Sequence, residues 1–389
     1  MRAYETSHPW ITFKATDFNE VTPKLWMLIG EARSKCQHLA GVPLRPSVAK
    51  AFYELTLVKG ALATNAIEGN TMTEEEAEGI FRGTYKAPPS RAYQEREIRN
   101  VLNALMTIDD EVMKGNRPQI TPELLSSYNL QVLEGTEYEA HVIPGKIRDY
   151  PVGVPGYRGA PAEDCEYLVG ELCKWLESAT FNNNEDEELR FALAVACAVY
   201  AHLYLAWIHP FGDGNGRTAR LVEFLILARC GMVPLPAAHL LSNHYNLTRP
   251  QYYRELAEAS RTLKTTSFVS YAVQGLVDGI RDQIDLVRQQ QLSVTWINYV
   301  HDVMSKFPAG RSRDRQRDLV LAMPPSKVVP KTDLEGLTPR LAGLYAKAGP
   351  RTLARDLNRL RDAKLITKQP GGWMANDQII RAFLSPMAG

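Results

Sequence analysis

The chain has 389 residues, enough for about two or three domains, and its 45% hydrophobic content supports well-formed cores. Its 45 basic and 44 acidic residues give a net charge of +1, so the whole molecule has no bulk preference for nucleic acid. The five cysteines lack a Cys-x-x-Cys pair or zinc-like spacing, which predicts reduced, mostly buried thiols in a cytoplasmic protein. The N-terminus lacks the apolar segment of a secretory signal.

The N-terminal half predicts a series of helices. Two of them begin with recognisable signals, because Thr73 and Glu76 form a capping box and Thr121 precedes Pro122 at the first helical position. Apolar residues recur at helical spacing in the segments 46–65, 73–81, 92–113, 121–133 and 163–177. Residues 146–161 interrupt this pattern, and their Gly, Pro, Val and Tyr content predicts a short β-hairpin with a loop.

An uncharged apolar segment at 191–208 follows a polar, acidic loop expected at 181–188. Its eighteen residues contain no Lys, Arg, Asp or Glu, which is the lower limit of a membrane-spanning helix. It also contains Tyr200, His202 and Tyr204 and leads directly into a polar loop. We therefore expect the central helix of a soluble bundle, and no membrane association.

The next segment is the most informative part of the chain, and it reads IHPFGDGNGRTAR over residues 208–220. His209 precedes Pro210, so it lies where a helix ends. Gly212, Gly214 and Gly216 allow backbone conformations that a Cβ would forbid. A glycine-rich turn that begins a helix presents free N–H groups and the positive end of the helix dipole, which favours an anionic phosphate.

The charged groups of this segment suit the same ligand. Arg217 and Arg220 lie on one face near the start of a helix predicted over 218–228, and a strongly anionic ligand would offset their repulsion. Asp213 is the only carboxylate in the loop and a natural Mg²⁺ ligand beside bound phosphates. His209 has a pKa range suited to taking a proton from a hydroxyl. The pattern predicts binding of a nucleoside triphosphate and activation of a hydroxyl group.

The C-terminal third predicts a separate domain. It follows helices predicted at 250–261 and 268–291. Its own expected elements are, in order, a connector with a short helix at 292–312, helices at 313–323, 338–347 and 352–364, and a hairpin around 370–372. Three helices followed by a hairpin resemble a winged helix. From 340 to 368, Lys and Arg outnumber Asp and Glu by eight to two, which permits contacts with DNA phosphates. Target recognition or dimerisation is the favoured role of this domain, and DNA binding stays open.

The segment at 209–220 closely resembles the signature of the Fic family, His-x-Phe-x-(Asp/Glu)-Gly-Asn-Gly-Arg-x-x-Arg, and every fixed position is filled. The resemblance implies a helical Fic fold around a central helix that ends at the motif. It implies that His209 is the general base, that Asp213 holds Mg²⁺ on the α- and β-phosphates of ATP, and that Arg217 and Arg220 bind the β- and γ-phosphates. It also implies that the β-phosphate is bound by three backbone N–H groups, those of Gly214, Asn215 and Gly216.

Two further segments are similar to parts of Fic enzymes. The predicted hairpin at 146–161, which contains Val152, looks like the flap that docks the target segment, and a flap acts by β-augmentation. A plain surface hairpin is the alternative. Tyr252 and Tyr253 resemble a Tyr-Tyr pair that borders the nucleotide base, although helical spacing favours one of the two in the core.

Residues 64–70, TNAIEGN, resemble the inhibitory motif of the same family, (Ser/Thr)-x-x-x-Glu-(Gly/Asn). Thr64 and Glu68 are one helical turn apart, and Gly69 supplies a C-cap. A carboxylate at a helix C-terminus is unfavourable against the dipole, so it requires a cation. The resemblance implies that Glu68 pairs with Arg220, which leaves the α-phosphate of ATP badly oriented for attack. The alternative is an ordinary capped helix end.

We therefore predict a mostly α protein with three parts: a helical region at 1–120 with an inhibitory helix near 46–70, a Fic core at 121–290, and the connector and winged-helix-like domain at 291–389. The predicted function is a protein adenylyltransferase that moves AMP from MgATP to a Tyr, Thr or Ser hydroxyl of a target or of itself, and that can also remove AMP. The alternatives are transfer of another phosphate-containing group and a nucleotide-sensing, DNA-binding regulator. A homodimer and DNA binding through the C-terminal domain stay open as partners.

Overall fold

The computed structural model describes residues 2–15, 21–154, 157–182 and 186–381. The chain divides into two compact units, Met1–Ile284 and Asp285–Gly389. The described secondary structure is mostly helical, with two short antiparallel hairpins, which confirms the predicted fold class.

The first unit is built from helices and one small hairpin. Its helices are α1 (Ala3–Ser7), α2 (Pro23–Gly41), α3 (Pro46–Ile67), α4 (Glu74–Arg82), α5 (Ala92–Met113), α6 (Pro122–Leu133), α7 (Ala162–Leu176), α8 (Ala179–Asn182), α9 (Glu187–Ile208), α10 (Asn215–Arg229), α11 (Leu235–Ala238), α12 (Leu240–Leu247), α13 (Arg249–Thr262) and the first part of α14 (Thr266–Ser305). The capping box on Thr73 and the cap on Thr121 are both present, and they begin α4 and α6.

Helix α9 is the centre of this unit. It begins where the Asp186 carboxylate accepts the backbone N–H groups of Glu188 and Leu189, and it packs against α2, α7 and α10. It is the one described helix long and apolar enough to cross a membrane, but 94% of its most apolar window is buried by the rest of the protein. Packing on all sides explains why the segment carries no charge.

The first hairpin pairs β1 (Gly153–Val154) with β2 (Tyr157–Arg158), so the predicted hairpin within 146–161 is confirmed. The loop expected at 181–188 is wrong at both ends, because residues 181–182 belong to α8 and Glu187 already begins α9. Residues 183–185 of that segment lie outside the described residues. The Asp186 cap allows helix formation to start within a run of acidic residues, which favour the first turn of a helix.

The second unit contains the last part of α14, α15 (Arg311–Ala322), α16 (Pro339–Ala346) and α17 (Thr352–Asp362), followed by β3 (Ile366–Gln369) and β4 (Gly372–Ala375). A third chain segment joins the hairpin, where Val329 and Trp373 exchange backbone hydrogen bonds. The core combines apolar residues of all these elements, among them Val300, Leu319, Leu341, Leu357 and Ile366.

The prediction of a connector with a short helix at 292–312 is wrong. Helix α14 continues without interruption to Ser305, so most of that segment is helical. The sequence contains no Gly or Pro between Gly279 and Pro308, and the segment buries Trp296, Val300 and Met304 in the core of the second unit. Tertiary burial of this face stabilises a helix whose amphipathic period is weak in sequence.

Candidate active site

His209 ends α9 in the left-handed conformation, with φ of +50°. Its Nδ1–H donates to the carbonyl of Ala206 at 3.3 Å, which assigns the proton to Nδ1 because a carbonyl can only accept. This leaves Nε2 free of a proton. Burial lowers the pKa of His209 to about 4, and the neighbouring Arg148 charge acts in the same direction. The imidazole is therefore neutral at pH 7 and able to accept a proton.

The hairpin lies directly against this histidine. The backbone N–H groups of Arg148 and Ala160 donate to the carbonyls of Pro210 and Ile208, so both arms of the hairpin are bonded to the end of α9. A Cβ added at Gly159 would come within 3.0 Å of the His209 Cβ, so glycine permits this close approach.

Arg148 fixes this arrangement. Its buried guanidinium donates to four backbone carbonyls, those of His209 at 2.7 Å, Tyr150, Ala160 and Ile208. None of these groups carries a charge, and burial lowers the pKa of Arg148 below its usual value. Several hydrogen bonds from one rigid fork compensate the desolvation of the cation. Arg148 therefore positions the hairpin and the His209 backbone together.

Arg148→Ala is expected to lower the free energy of unfolding by about 2–4 kcal/mol, because it leaves several buried carbonyls without a donor. Denaturant unfolding monitored by circular dichroism would measure this change. Arg148→Lys is expected to recover only part of the loss, since an ammonium cannot reproduce the planar fork. Stability equal to the unmodified chain in both variants would contradict the positioning role.

The loop after His209 is closed by side-chain amides. The Asn215 amide accepts from the Phe211 N–H at 2.9 Å and donates to the Phe211 carbonyl at 2.8 Å. Asn129 on α6 donates to the Asp213 carbonyl at 2.8 Å. Gly214, with φ of +74°, is the N-cap of α10, so the predicted helix starts three residues earlier than position 218. The N–H of Gly214 donates to Asp213 Oδ1, and the N–H groups that begin α10 have no acceptor within their own helix.

Arg217 is buried between two carboxylates. Its Nη1 lies 3.3 Å from Glu97 Oε1 on α5, and its Nη2 lies 3.4 Å from Asp213 Oδ1. Its Nε is buried without a hydrogen-bond partner among the described residues. Glu97 also accepts from the Asn70 amide at 2.9 Å, which connects Arg217 to the segment after α3.

Arg220 is paired with the end of α3. Its Nη2 lies 2.7 Å from Glu68 Oε1 and donates to the Thr64 carbonyl at 2.9 Å, while its Nε donates to the Thr64 hydroxyl. The Arg220 side chain is 1% exposed and that of Glu68 is 37% exposed. The ion pair inferred from residues 64–70 is thus present, and it joins two helices that are 152 residues apart in sequence.

The Glu68 carboxylate occupies the space beside the first turn of α10. A Cβ added at Gly216 would collide with Glu68 Oε1, so the carboxylate lies where the helix presents its N-terminus. Burial raises the pKa of Glu68, but the charge and hydrogen bond of Arg220 outweigh it and hold the pKa below its usual value. Glu68 lies at the unfavourable C-terminal end of α3, and the positive end of α10 offsets this cost.

Three predicted site residues lie outside the motif, and they differ in how far they are buried. Tyr252 is buried, and its hydroxyl bonds to His202 Nε2 at 2.8 Å. Tyr253 is half-buried, and its ring lies 5.9 Å from the Arg249 guanidinium. Only Tyr253 of the pair therefore has a partly open ring. Val152 is half-buried beside Gly159, at the base of β1.

Sequence reasoning missed Arg148, Asn129 and Glu97, which hold the motif residues in position. Each lies on a different element from the motif, so no local spacing relates them to it. A weak signal existed for two of them. Asn129 and Glu97 lie at the borders of otherwise apolar helix faces, and a polar side chain in such a place often has a specific hydrogen-bond partner.

The part of the chain that contains this site is similar to known proteins. The Fic/DOC family profile matches residues 119–227, which contain α6, the hairpin, α9 and most of α10. The protein adenylyltransferase Fic of Nematostella vectensis is 26% identical over 209 residues, which are 53% of this chain and 45% of that protein. The protein adenylyltransferase fic-1 of Caenorhabditis briggsae is 28% identical over 199 residues, which are 51% of this chain and 35% of that protein. This chain thus spans less than half the length of these relatives.

Solved structures show the same fold. A Fic family protein from Desulfovibrio desulfuricans superposes with a TM-score of 0.56 over 94% of this chain and 95% of that one, at 22% identity. Fic-1 of Caenorhabditis elegans superposes with a TM-score of 0.54 over 69% of this chain and 73% of that one, also at 22% identity.

Proposed function

We propose that this chain is a protein adenylyltransferase that moves AMP from MgATP to a Tyr, Thr or Ser hydroxyl of a protein, itself included. The match of residues 119–227 to the Fic/DOC family profile supports this proposal. The observation that carries the proposal is His209, a neutral base whose proton is fixed on Nδ1 between a hairpin and a helix N-terminus. The adenylyltransferase names of the relatives support AMP as the transferred group.

In the proposed reaction, the target hydroxyl oxygen attacks the α-phosphorus of ATP. A bond forms between these atoms, the bond from the α-phosphorus to the bridging oxygen breaks, and pyrophosphate leaves. His209 Nε2 takes the hydroxyl proton. Phosphate charge near the imidazole favours its protonated form, so bound ATP raises the pKa of His209 from about 4 toward the range of an efficient general base.

The first turn of α10 and the two arginines supply the phosphate site. Backbone N–H groups of Asn215 and Gly216 would bind the β-phosphate, with the helix dipole adding to the attraction. The N–H of Gly214 donates to Asp213 Oδ1 and would join them once that bond is exchanged for a phosphate oxygen. Arg217 has an unpartnered buried Nε, which suits an added phosphate oxygen. Arg220 would bind the γ-phosphate once Glu68 releases it. Tyr253, with its partly open ring, is the better candidate of the tyrosine pair for contact with the base.

Asp213 fits the Mg²⁺ that accompanies ATP. Its carboxylate is 43% exposed and lies at the start of α10, where it can contribute one anionic oxygen. Among the described residues no cluster of three or more His, Cys, Asp or Glu forms a dedicated metal site. One carboxylate together with substrate phosphates is a usual ligand set for Mg²⁺. When bound, the ion would neutralise charge on the α- and β-phosphates.

Asp213→Ala is expected to raise the Mg²⁺ concentration for half-maximal activity by about tenfold or more, because the direct anionic ligand is lost. Initial rates of AMP transfer across an Mg²⁺ titration would measure it. Glu139→Ala is the matched control, since it removes one exposed negative charge outside the motif. An unchanged Mg²⁺ dependence in Asp213→Ala would place the ion elsewhere.

We further propose that Glu68 restrains the enzyme. Its carboxylate competes with the triphosphate for both Arg220 and the N-terminus of α10, which supports an inhibitory role. The same carboxylate could activate a water for the reverse step, removal of AMP from the modified hydroxyl, because its lowered pKa keeps it ionised at neutral pH.

Intact-mass measurement after incubation with MgATP tests the proposed function. We expect Glu68→Gly to gain the mass of an AMP group on itself or to transfer it to proteins of a cell extract, and wild type to do so weakly. Addition of a phosphate or phosphocholine group with a matching donor, and none of AMP, would contradict adenylyl transfer while leaving the site intact.

A further inference from the structure

The second unit has a cationic face on α17. The side of α17 that faces the core carries Leu353, Leu357 and Leu360. The opposite side exposes Arg351, Arg355, Asn358 and Arg359, which recur at the i, i+4, i+7 and i+8 positions of one helical face. We refer to these four residues as the α17 face.

Three of these residues are arginines without an acidic partner in the described part of the chain. Arg351, Arg355 and Arg359 form no ion pair with any residue of the described part of the chain, whereas Arg315 and Arg340 of the same unit pair with Asp356 and Asp318. Arg359 lies 5.0 Å above the Phe307 ring, a contact that holds its position and leaves its charge unneutralised.

Helix α17 contains two acidic residues, and both pair with other arginines. Asp362, at the end of the helix, pairs with Arg361 at 3.0 Å. Asp356 is buried, and it accepts hydrogen bonds from Arg315 at 2.7 Å, Gln316 at 2.7 Å and Tyr345 at 3.1 Å. Like charges at i and i+4 destabilise a helix by a few tenths of a kcal/mol each. A polyanion along the α17 face would reverse this cost.

Three exposed lysines lie close to α17 in the sequence. Lys347 lies between α16 and α17, Lys364 follows α17, and Lys368 lies on β3. All three are exposed and without an ion pair among the described residues. Unpaired cations therefore flank α17 in the sequence on both sides.

We propose that the α17 face binds double-stranded DNA, with α17 in the major groove and the lysines at the flanking phosphates. A single helix of this kind fits the groove of B-form DNA, whereas the major groove of A-form RNA is too narrow for it. Arginine and asparagine are the side chains that pair with guanine and adenine edges.

Other occupants fit the α17 face less well. A second copy related by two-fold symmetry would bring the same cationic surface against itself, because such interfaces use one patch on both subunits. An acidic protein would satisfy the charge, but it would not use the base-reading geometry of Asn358 beside Arg355.

Fluorescence anisotropy with the full chain and a labelled random-sequence duplex of about 30 base pairs tests the proposal at about 50 mM salt and above. We expect binding whose affinity falls steeply with salt. Arg355→Ala combined with Arg359→Ala should weaken it at least about tenfold and reduce the slope of log affinity against log salt by about two. On a random-sequence duplex binding is mainly electrostatic, and each lost arginine removes one cation that displaces counterions from the DNA.

The matched control is Arg82→Ala combined with Arg261→Ala, two exposed arginines of the first unit. Both double variants lose two positive charges, so the net charge falls from +1 to −1 in each (1 − 2 = −1). The control should bind within about twofold of wild type. Equal weakening in both variants would overturn the proposal, because binding would then depend on bulk charge alone.

Three other outcomes are decisive. If the Arg355 and Arg359 double variant unfolds, the substitute is Arg351→Ala combined with Lys368→Ala. This second double variant should bind DNA more weakly than the control does, and unchanged DNA binding by it would overturn the proposal. Absence of duplex binding by wild type at low salt would overturn it. A change of oligomeric state in light scattering, with no change in DNA affinity, would assign the face to a protein interface instead. None of these readouts involves ATP, so they are independent of the proposed adenylyl transfer.

Discussion

Replacing His209 with alanine is expected to lower the rate of AMP transfer by about 10²–10⁴-fold, because general base catalysis typically contributes that much. Nucleotide affinity should change by only a few fold, since the imidazole removes a proton and the phosphates are held by α10 and the two arginines. Rates of transfer by the Glu68→Gly background, with and without His209, and isothermal titration with ATP would separate the two effects.

The left-handed backbone at His209 requires a second variant. Alanine at φ of +50° costs roughly 1–2 kcal/mol of strain. His209→Asn avoids most of this cost, because asparagine tolerates that conformation, and it still offers no base. Both variants should therefore be inactive, and His209→Asn should be the more stable of the two by about 1 kcal/mol. Full activity in His209→Asn would remove His209 from the mechanism.

Glu68→Gly is expected to raise the rate of AMP transfer by roughly tenfold to a hundredfold, equivalent to about 1–3 kcal/mol of bias between nucleotide poses. The substitution frees Arg220 and the first turn of α10 without removing a group that touches the reacting atoms in the forward step. Transfer of labelled AMP measured as an initial rate would report the increase. Glu54→Gly, the same change on the same helix away from the site, should not raise it.

The increase in AMP-transfer rate in Glu68→Gly should depend on Arg220. Glu68→Gly combined with Arg220→Ala should lose most of it, because the freed arginine is the group that orients the γ-phosphate. A time course started from purified AMP-modified protein distinguishes a faster forward step from slower removal, since Glu68 could also assist removal. If Glu68→Gly neither labels faster nor removes AMP more slowly, residues 64–70 are only a capped helix end.

The elements that the sequence predicted well are those set by local rules. The end of α9 at His209 follows from Pro210, and the caps of α4 and α6 follow from Thr73 and Thr121. The sequence predicts the start of α10 three residues too late. The positive φ of Gly214 allows the helix to begin directly after that residue. Spacing alone cannot distinguish a glycine in a loop from one at an N-cap.

The site residues also divide into those that local sequence predicted and those that it did not. The sequence by itself determined which groups of residues 209–220 carry chemistry, because a base, a carboxylate and two arginines lie within a dozen positions and share one loop and helix. It also determined that Thr64 and Glu68 lie one turn apart at a helix end. The identity of their partner came from resemblance, and the 2.7 Å contact with Arg220 depends on how α3 packs against α10.

Only the tertiary structure decided what holds these groups in place. Arg148, Asn129 and Glu97 come from three other elements, and the burial of Tyr252 against His202 comes from the packing of α13 on the central helix. The physical reason is that local spacing determines which side chains share a helix face, whereas desolvation and hydrogen bonding depend on the groups that other segments bring near. The neutral His209 and the ionised Glu68 are both products of that packing, because burial lowers the pKa of the first and Arg220 lowers that of the second against the effect of burial.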